Sequence, residues 1–232
     1  MSCDIRENED NIMIKGQNYL YNTNIKAILF DMDGVIIDSE PLYSSSETAL
    51  LSKYGVKFND NDWDFIKGCT ESQFYDLVYS RFSPNIDRKV LIEKGREYLK
   101  KTFTNHLEYM DGFLDLYKKI KSNYQIALVT STHIEMVNHI DSILDIQNKF
   151  DVIITAEDTL KHKPFPDPYQ AAMKKLNLHP RECIVVEDSI QGIKSGQSAG
   201  SQVIALTGSF DKEELKMADY IISSLHDIVK YI

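Results

Sequence analysis

The sequence predicts an α/β fold: a Rossmann-like parallel sheet core carrying an inserted helical cap. Three observations point there. From residue 125 onward, short apolar segments of strand length alternate with segments of helical length. The strand segments are apolar almost throughout, as suits a sheet covered on both faces. Residues 39–110, by contrast, break the alternation and offer no clear core strand.

Taken in order, residues 1–24 read as an N-terminal extension, where Ile12, Met13 and Ile14 suit a short strand and Tyr19, Leu20 and Tyr21 suit surface packing. The core opens at Ile25, and its first strand stops on Asp31-Met32-Asp33-Gly34. Further strands are expected at Gln125–Val129, Asp151–Ile154, Cys183–Val186 and Gln202–Leu206, with Tyr220–Ile222 at an edge. Helices are expected at Ile134–Leu144, Pro168–Leu176 and Ile190–Ala199, with a last helical stretch near Leu225–Tyr231. Asp167 is expected to cap the second of these, with Pro168 in its first turn. The domain division is therefore a core of 25–38 and 111–232 around a cap of 39–110. Within the cap, Ser39 and Pro41 suit a helix start, and Ser72–Tyr79 and Asp87–Phe103 read as helical. A single rigid domain with extra helices is the plainer alternative.

Composition narrows the partners. A chain of 232 residues, 43% hydrophobic, is large enough to bury a sizeable core. Its formal net charge of −9 argues against broad attraction to nucleic acid or to an anionic membrane. Three scattered cysteines, Cys3, Cys69 and Cys183, make neither a disulfide framework nor a metal cluster. Apolar runs are no longer than strands, and the N-terminus is polar and acidic. A cytoplasmic monomer is the expectation, and the charge balance does not exclude phosphorylated small molecules, because a local lysine and a divalent ion can override the global sign.

The chemistry lies at the strand ends. Side chains two apart on a strand share a face, so Asp31 and Asp33 can approach one small volume. Two carboxylates that close repel unless a cation or a proton intervenes. Other βα loops add Thr130-Ser131-Thr132, Lys163, and Glu187-Asp188-Ser189, the last followed by Gly192 and Gly196. Each has a plainer reading alone: a polar turn, a helix cap, an exposed lysine, close helix packing. Together they are the classes that phosphoryl transfer needs. Thr130 and backbone amides can bind phosphate oxygens, and Lys163 can offset negative charge. Asp31 and Asp188 are hard oxygen ligands for Mg2+, while Glu187 either ligates or orients the metal shell.

With these motifs in place, the chain resembles the haloacid dehalogenase superfamily, in its phosphatase and β-phosphoglucomutase-like branch. The resemblance covers residues 25–225 and rests on Asp31-Met-Asp33-Gly34, Thr130, Lys163 in KPFPDP and Glu187-Asp188 in VVEDSIQG. It implies that Asp31 is the nucleophile and Asp33 the acid and base. It also implies that the amides near Met32, Asp33 and Ser131 hold phosphate with Thr130 and Lys163. The metal set so implied is Asp31, Asp33 (through its carbonyl), Glu187 and Asp188. Lys67 and Gly68 match a cap loop that reaches toward substrate, and His133 reaches it from the core or caps the following helix. Where β-phosphoglucomutase carries a hinge histidine and a cap arginine, this chain has Tyr43 and Glu71. Those departures favour hydrolysis of a small phosphomonoester, such as a sugar or polyol phosphate, over the mutase reaction.

Overall fold

The computed structural model describes residues 24–59, 62 and 71–232. The strand and surface packing expected at residues 12–14 and 19–21 lie outside these, as do Lys67 and Gly68.

Six parallel strands form one sheet: β1 (Ala27–Phe30), β2 (Gln125–Val129), β3 (Val152–Ile154), β4 (Cys183–Glu187), β5 (Gln202–Leu206) and β6 (Tyr220–Ile222). Their spatial order is β3-β2-β1-β4-β5-β6, so the chain builds outward from β1 on one side and then crosses to the other. That reversal opens a crevice beyond the carboxyl ends of the central strands, the usual ligand position in such sheets. Phe30 stands opposite Leu128 on β2 and Val186 on β4. The residue after each therefore emerges at one level of the same edge. All four residues of β1 are fully buried, with Ile28 and Phe30 in one apolar layer and Ala27 and Leu29 in the other. The period of two thus feeds both faces at once.

Among the described residues seven helices accompany the sheet: α1 (Glu40–Ser52), α2 (Glu71–Phe82), α3 (Arg88–His106), α4 (Phe113–Ile120), α5 (Ile134–Leu144), α6 (Asp167–Leu176) and α7 (Ile190–Ser198). The three expected in the irregular block are present. Asp87 caps α3 by accepting from the amides of Lys89 and Val90. Three local expectations change. Asp167 is the first residue of α6 rather than its cap, because the Pro166 carbonyl already accepts from the Gln170 amide. Leu225–Lys230 winds as a 3-10 segment instead of an α-helix. Helix α4, absent from the expected elements, follows Gly112 at φ +81° and buries Phe113, Leu116 and Ile120 on one face.

Helices α1, α2 and α3 share an apolar cluster of their own, built on Leu50, Leu51, Phe74, Tyr75, Val78 and Leu91. The distal part of α3 instead joins the sheet's core through Leu99 and Phe103. Polar contacts reinforce that junction. Lys100 Nζ meets Glu135 Oε1 of α5 at 2.5 Å, and His139 Nε2 donates to the Lys100 carbonyl at 2.9 Å.

Among the helices one acid is poorly satisfied. Among the described residues, Glu47 on α1 accepts only a long hydrogen bond, 3.3 Å, from the Tyr75 hydroxyl, and its buried Oε2 finds no partner. Gly95 makes the room, since a Cβ there would stand 2.0 Å from that hydroxyl. Burial pushes the Glu47 carboxyl up to about 7. A carboxyl raised in the folded state contributes stability below its ordinary value of 4.5 and loses it as pH climbs toward 7. Glu47→Gln should therefore stabilise the protein by on the order of 1–2 kcal/mol at pH 8 and give no gain at pH 4. Urea unfolding at the two pH values checks this.

Candidate active site

Strand β1 ends at Phe30, and the chain continues straight into Asp31, whose amide donates to the Val186 carbonyl of β4 at 3.0 Å. Its side chain therefore projects at the crevice between the two strands. Oδ1 accepts from Lys163 Nζ at 2.6 Å. Oδ2 takes no hydrogen bond among the described residues and stands open to the crevice.

Lys163 spends all three ammonium protons here, on Asp31 Oδ1, Glu187 Oε1 (2.6 Å) and the Val129 carbonyl (3.0 Å). Its side chain is only 7% exposed. The two carboxylates push its pKa up against the desolvation that opposes them. Glu187, at the end of β4, is fully buried and fully used. Oε1 accepts from Lys163 and from the Tyr169 hydroxyl (2.8 Å), and Oε2 from the Ser189 hydroxyl and the amides of Asp188 and Ser189. Gly192 leaves the space, because a Cβ there would fall 1.7 Å from Glu187 Oε1. Asp188 accepts a short bond from the Ser209 hydroxyl, and Gly34, at φ +71°, is backed directly against its carboxylate. Ser189, not Glu187 or Asp188, caps α7.

Asp31, Glu187 and Asp188 bring carboxylate oxygens within 4.8 Å of one another. Burial, opposed by Lys163 and reinforced by Glu187 and Asp33, pushes the Asp31 carboxyl up to about 7. Burial and the Glu187 charge push Asp188 well above the ordinary carboxylate range. Three carboxylates facing one ammonium leave an excess of negative charge, the condition that a hard divalent cation relieves.

The carboxylate of Asp33 stands apart from this cluster. Oδ1 accepts from the Ser39 hydroxyl (2.6 Å) and Oδ2 from the Thr132 hydroxyl (3.0 Å). Ser39 thus serves Asp33 rather than capping α1 with its side chain. Burial raises the Asp33 pKa, while these two hydroxyls oppose the rise. Thr130 is buried and its oxygen accepts from the Thr132 amide at 3.0 Å, so its proton remains to donate. The amides of Met32, Asp33 and Ser131 have no acceptor among the described residues, although the Met32 side chain is core. Three unpaired N–H groups and a hydroxyl beside Asp31 make an anion seat.

His133 sits at the rim, exposed, with Nδ1 2.8 Å from Glu157 Oε1. It precedes α5 but makes no side-chain cap; Glu157 Oε2 takes the Ile134 amide instead. Tyr43 packs edge-on against Phe103. Glu71 is gripped by Arg96 through two bonds, at 2.8 and 2.5 Å. The site also recruits Ser39, Tyr169 and Ser209, which motif reading does not assign to it, and Thr132 of the hydroxyl cluster, whose carboxylate partner the motif does not name. Tyr169 alone carried a usable signal, as an aromatic just downstream of the lysine motif.

Residues 28–206 match the family described as haloacid dehalogenase-like hydrolase. That span holds every residue of the cluster. The chain belongs to this family. It is accordingly an enzyme, a phosphatase of the haloacid dehalogenase type whose aspartate cluster acts on phosphomonoesters. Among its relatives is a phosphorylated carbohydrates phosphatase of Thermotoga maritima, 28% identical over 181 residues, covering 78% of this chain and 84% of that one. The pyrophosphatase PpaX of Oceanobacillus iheyensis is 30% identical over 216 residues, covering 90% and 97%. A solved structure from Thermotoga maritima, described as a putative beta-phosphoglucomutase, superposes with a TM-score of 0.77 at 25% identity, covering 90% and 100%. One haloacid dehalogenase scaffold thus serves differently named activities. No helix among the described residues is long and apolar enough to cross a membrane.

Asp31, Glu187 and Asp188 fit a magnesium site by donor type and spacing. Binding to the folded state alone, Mg2+ at a hundredfold over its Kd should add about 2.7 kcal/mol. That corresponds to a Tm rise of roughly 5–10 °C for a chain of this size. Differential scanning calorimetry with and without EDTA should show the rise in wild type and none in Asp188→Asn.

Proposed function

We propose that this enzyme hydrolyses a small phosphomonoester, of the sugar or polyol class, in a magnesium-dependent reaction passing through an aspartyl-phosphate on Asp31. The observation that carries the reading is the asymmetry of Asp31. One oxygen is pinned by Lys163, while the other accepts no hydrogen bond among the described residues, in a crevice that also offers the Thr130 hydroxyl and the unpaired amides of Met32, Asp33 and Ser131. A phosphate placed there meets a carboxylate oxygen already oriented toward phosphorus.

In the first step an Asp31 oxygen bonds to phosphorus as the ester P–O bond breaks, and Asp33 gives its proton to the departing alkoxide. In the second, Asp33 takes a proton from the water that attacks phosphorus. The P–O bond to Asp31 then breaks, releasing inorganic phosphate and restoring both carboxyls. Hydroxyls donate or accept, so Ser39 and Thr132 can hold Asp33 in either form. Asp31 and Asp188 would hold the magnesium ion, backed by Glu187, and the ion would offset repulsion between nucleophile and phosphate.

Residues 39–110 then act as a cap over this seat, with Tyr43 on its substrate side; Lys67 and Gly68 lie outside the described residues. Its three arginines support a substrate with one phosphate. Arg81 pairs with Asp62, Arg88 with Asp76, and Arg96 with Glu71. The carbohydrate phosphatase relative supports the leaving-group class.

With Mg2+ present, purified protein should release phosphate from at least one sugar or polyol monophosphate, and Asp31→Asn should lower turnover by at least 1,000-fold. A malachite-green panel reads both. Conversion of a sugar phosphate to its positional isomer without phosphate release would instead identify a mutase.

A further inference from the structure

Tyr169 lies on α6, beyond the segment that carries Lys163, and is fully buried. Most buried tyrosines aim their hydroxyl at whatever acceptor is near. This one meets two members of the catalytic network at once. Its hydroxyl donates to Glu187 Oε1 at 2.8 Å, and its ring face lies 5.0 Å from Lys163 Nζ. Glu187 Oε1 therefore serves two donors, one charged and one neutral. Oε2 is tied to Asp188 and Ser189 by its own three bonds.

Only the Oε1 side connects Glu187 to the nucleophile, through Lys163. If Tyr169 did not hold that oxygen, the ammonium would be its sole anchor, and Oε1 could shift with Lys163 about the bonds that hold Oε2. The ammonium would then be drawn between two carboxylates of unequal freedom, and Asp31 would lose a fixed partner. The tyrosine ring also closes the space beneath the ammonium and excludes the water that would compete for its protons.

Resting on the reading of Asp31 as nucleophile, we infer that Tyr169 is a positioning residue. It immobilises Glu187, and through Lys163 fixes the orientation in which Asp31 meets phosphorus. It touches neither substrate nor the reacting atoms. Tyr169 should thus govern kcat and leave substrate affinity nearly untouched, because the anion seat formed by Thr130 and the amides does not include it.

The test compares wild type, Tyr169→Phe, Ser189→Ala and the double variant in one phosphate-release assay under saturating Mg2+, with Tm measured for each. Phenylalanine keeps the ring and its volume and removes only the hydroxyl. The expected result for Tyr169→Phe is a roughly 10-fold fall in kcat, with KM within twofold of wild type and Tm high enough for a folded enzyme at assay temperature. Both single changes loosen Glu187, so the double variant should lose less than the product of the single losses. An unchanged kcat in Tyr169→Phe would reduce the hydroxyl to a satisfied core group. A rise in KM without a fall in kcat, or strictly multiplicative losses, would equally overturn the inference. Turnover by wild type in the same assay separates these failures from failure of the phosphatase reading, since an inactive wild type defeats both.

Discussion

The active site depends on one buried ammonium. Lys163 bridges the nucleophile side of the crevice to the floor, and no other cation of the described residues contacts Asp31 or Glu187. Burying a lysine costs several kcal/mol unless its protons are all used. Here each finds an oxygen: two carboxylates and a carbonyl at the end of β2. The carboxylates in turn could not lie so near each other without it. The network is therefore mutually conditional, and removing one member leaves an uncompensated charge in a place largely shielded from water. This explains why residues so far apart in sequence must arrive together: Asp31 and Glu187 are neighbours only because β1 and β4 pair in register.

The strands themselves were largely readable from the chain, though not which of them pair. The strand segments around residues 27, 125, 152, 183, 202 and 220 announce themselves as short apolar runs, and a parallel sheet has few ways to bury them on both faces. The helices with clear punctuation, Asp87 before α3 and Pro41 within α1, were equally legible. Helix α4 was not, because it is short and crowded against the end of α3, where the strand–helix rhythm has no slot for it. Asp167 misled by a single position, since proline on both sides makes two helix starts plausible.

The site divides in the same way. Asp31, Asp33, Thr130, Glu187 and Asp188 are readable because residue type changes abruptly at strand ends, and Lys163 because it opens the proline-rich KPFPDP segment of a βα loop. Their supporters are not. Ser39, Thr132 and Ser209 are small hydroxyl residues like many others in the chain, and nothing local says that each faces a carboxylate. Their role comes from tertiary placement alone. Three of the acids bring their carboxylates together, whereas the Asp33 side chain turns toward the two hydroxyls that hold it, which leaves only its backbone carbonyl for the metal side. Division of labour between neighbouring acids is thus written in their hydrogen-bond partners, not in their spacing.

Gly34 and Gly192 show how little tolerance the floor has. At each, the hydrogen in place of a side chain is what admits a neighbouring carboxylate. Backbone, rather than adjustable side-chain atoms, forms the wall against which Asp188 and Glu187 rest. Such a wall cannot be repacked by compensating changes nearby, as an apolar core often can. Diversification of this scaffold is therefore steered toward the surfaces above the crevice, where atoms can be added, and away from a base whose essential feature is empty volume.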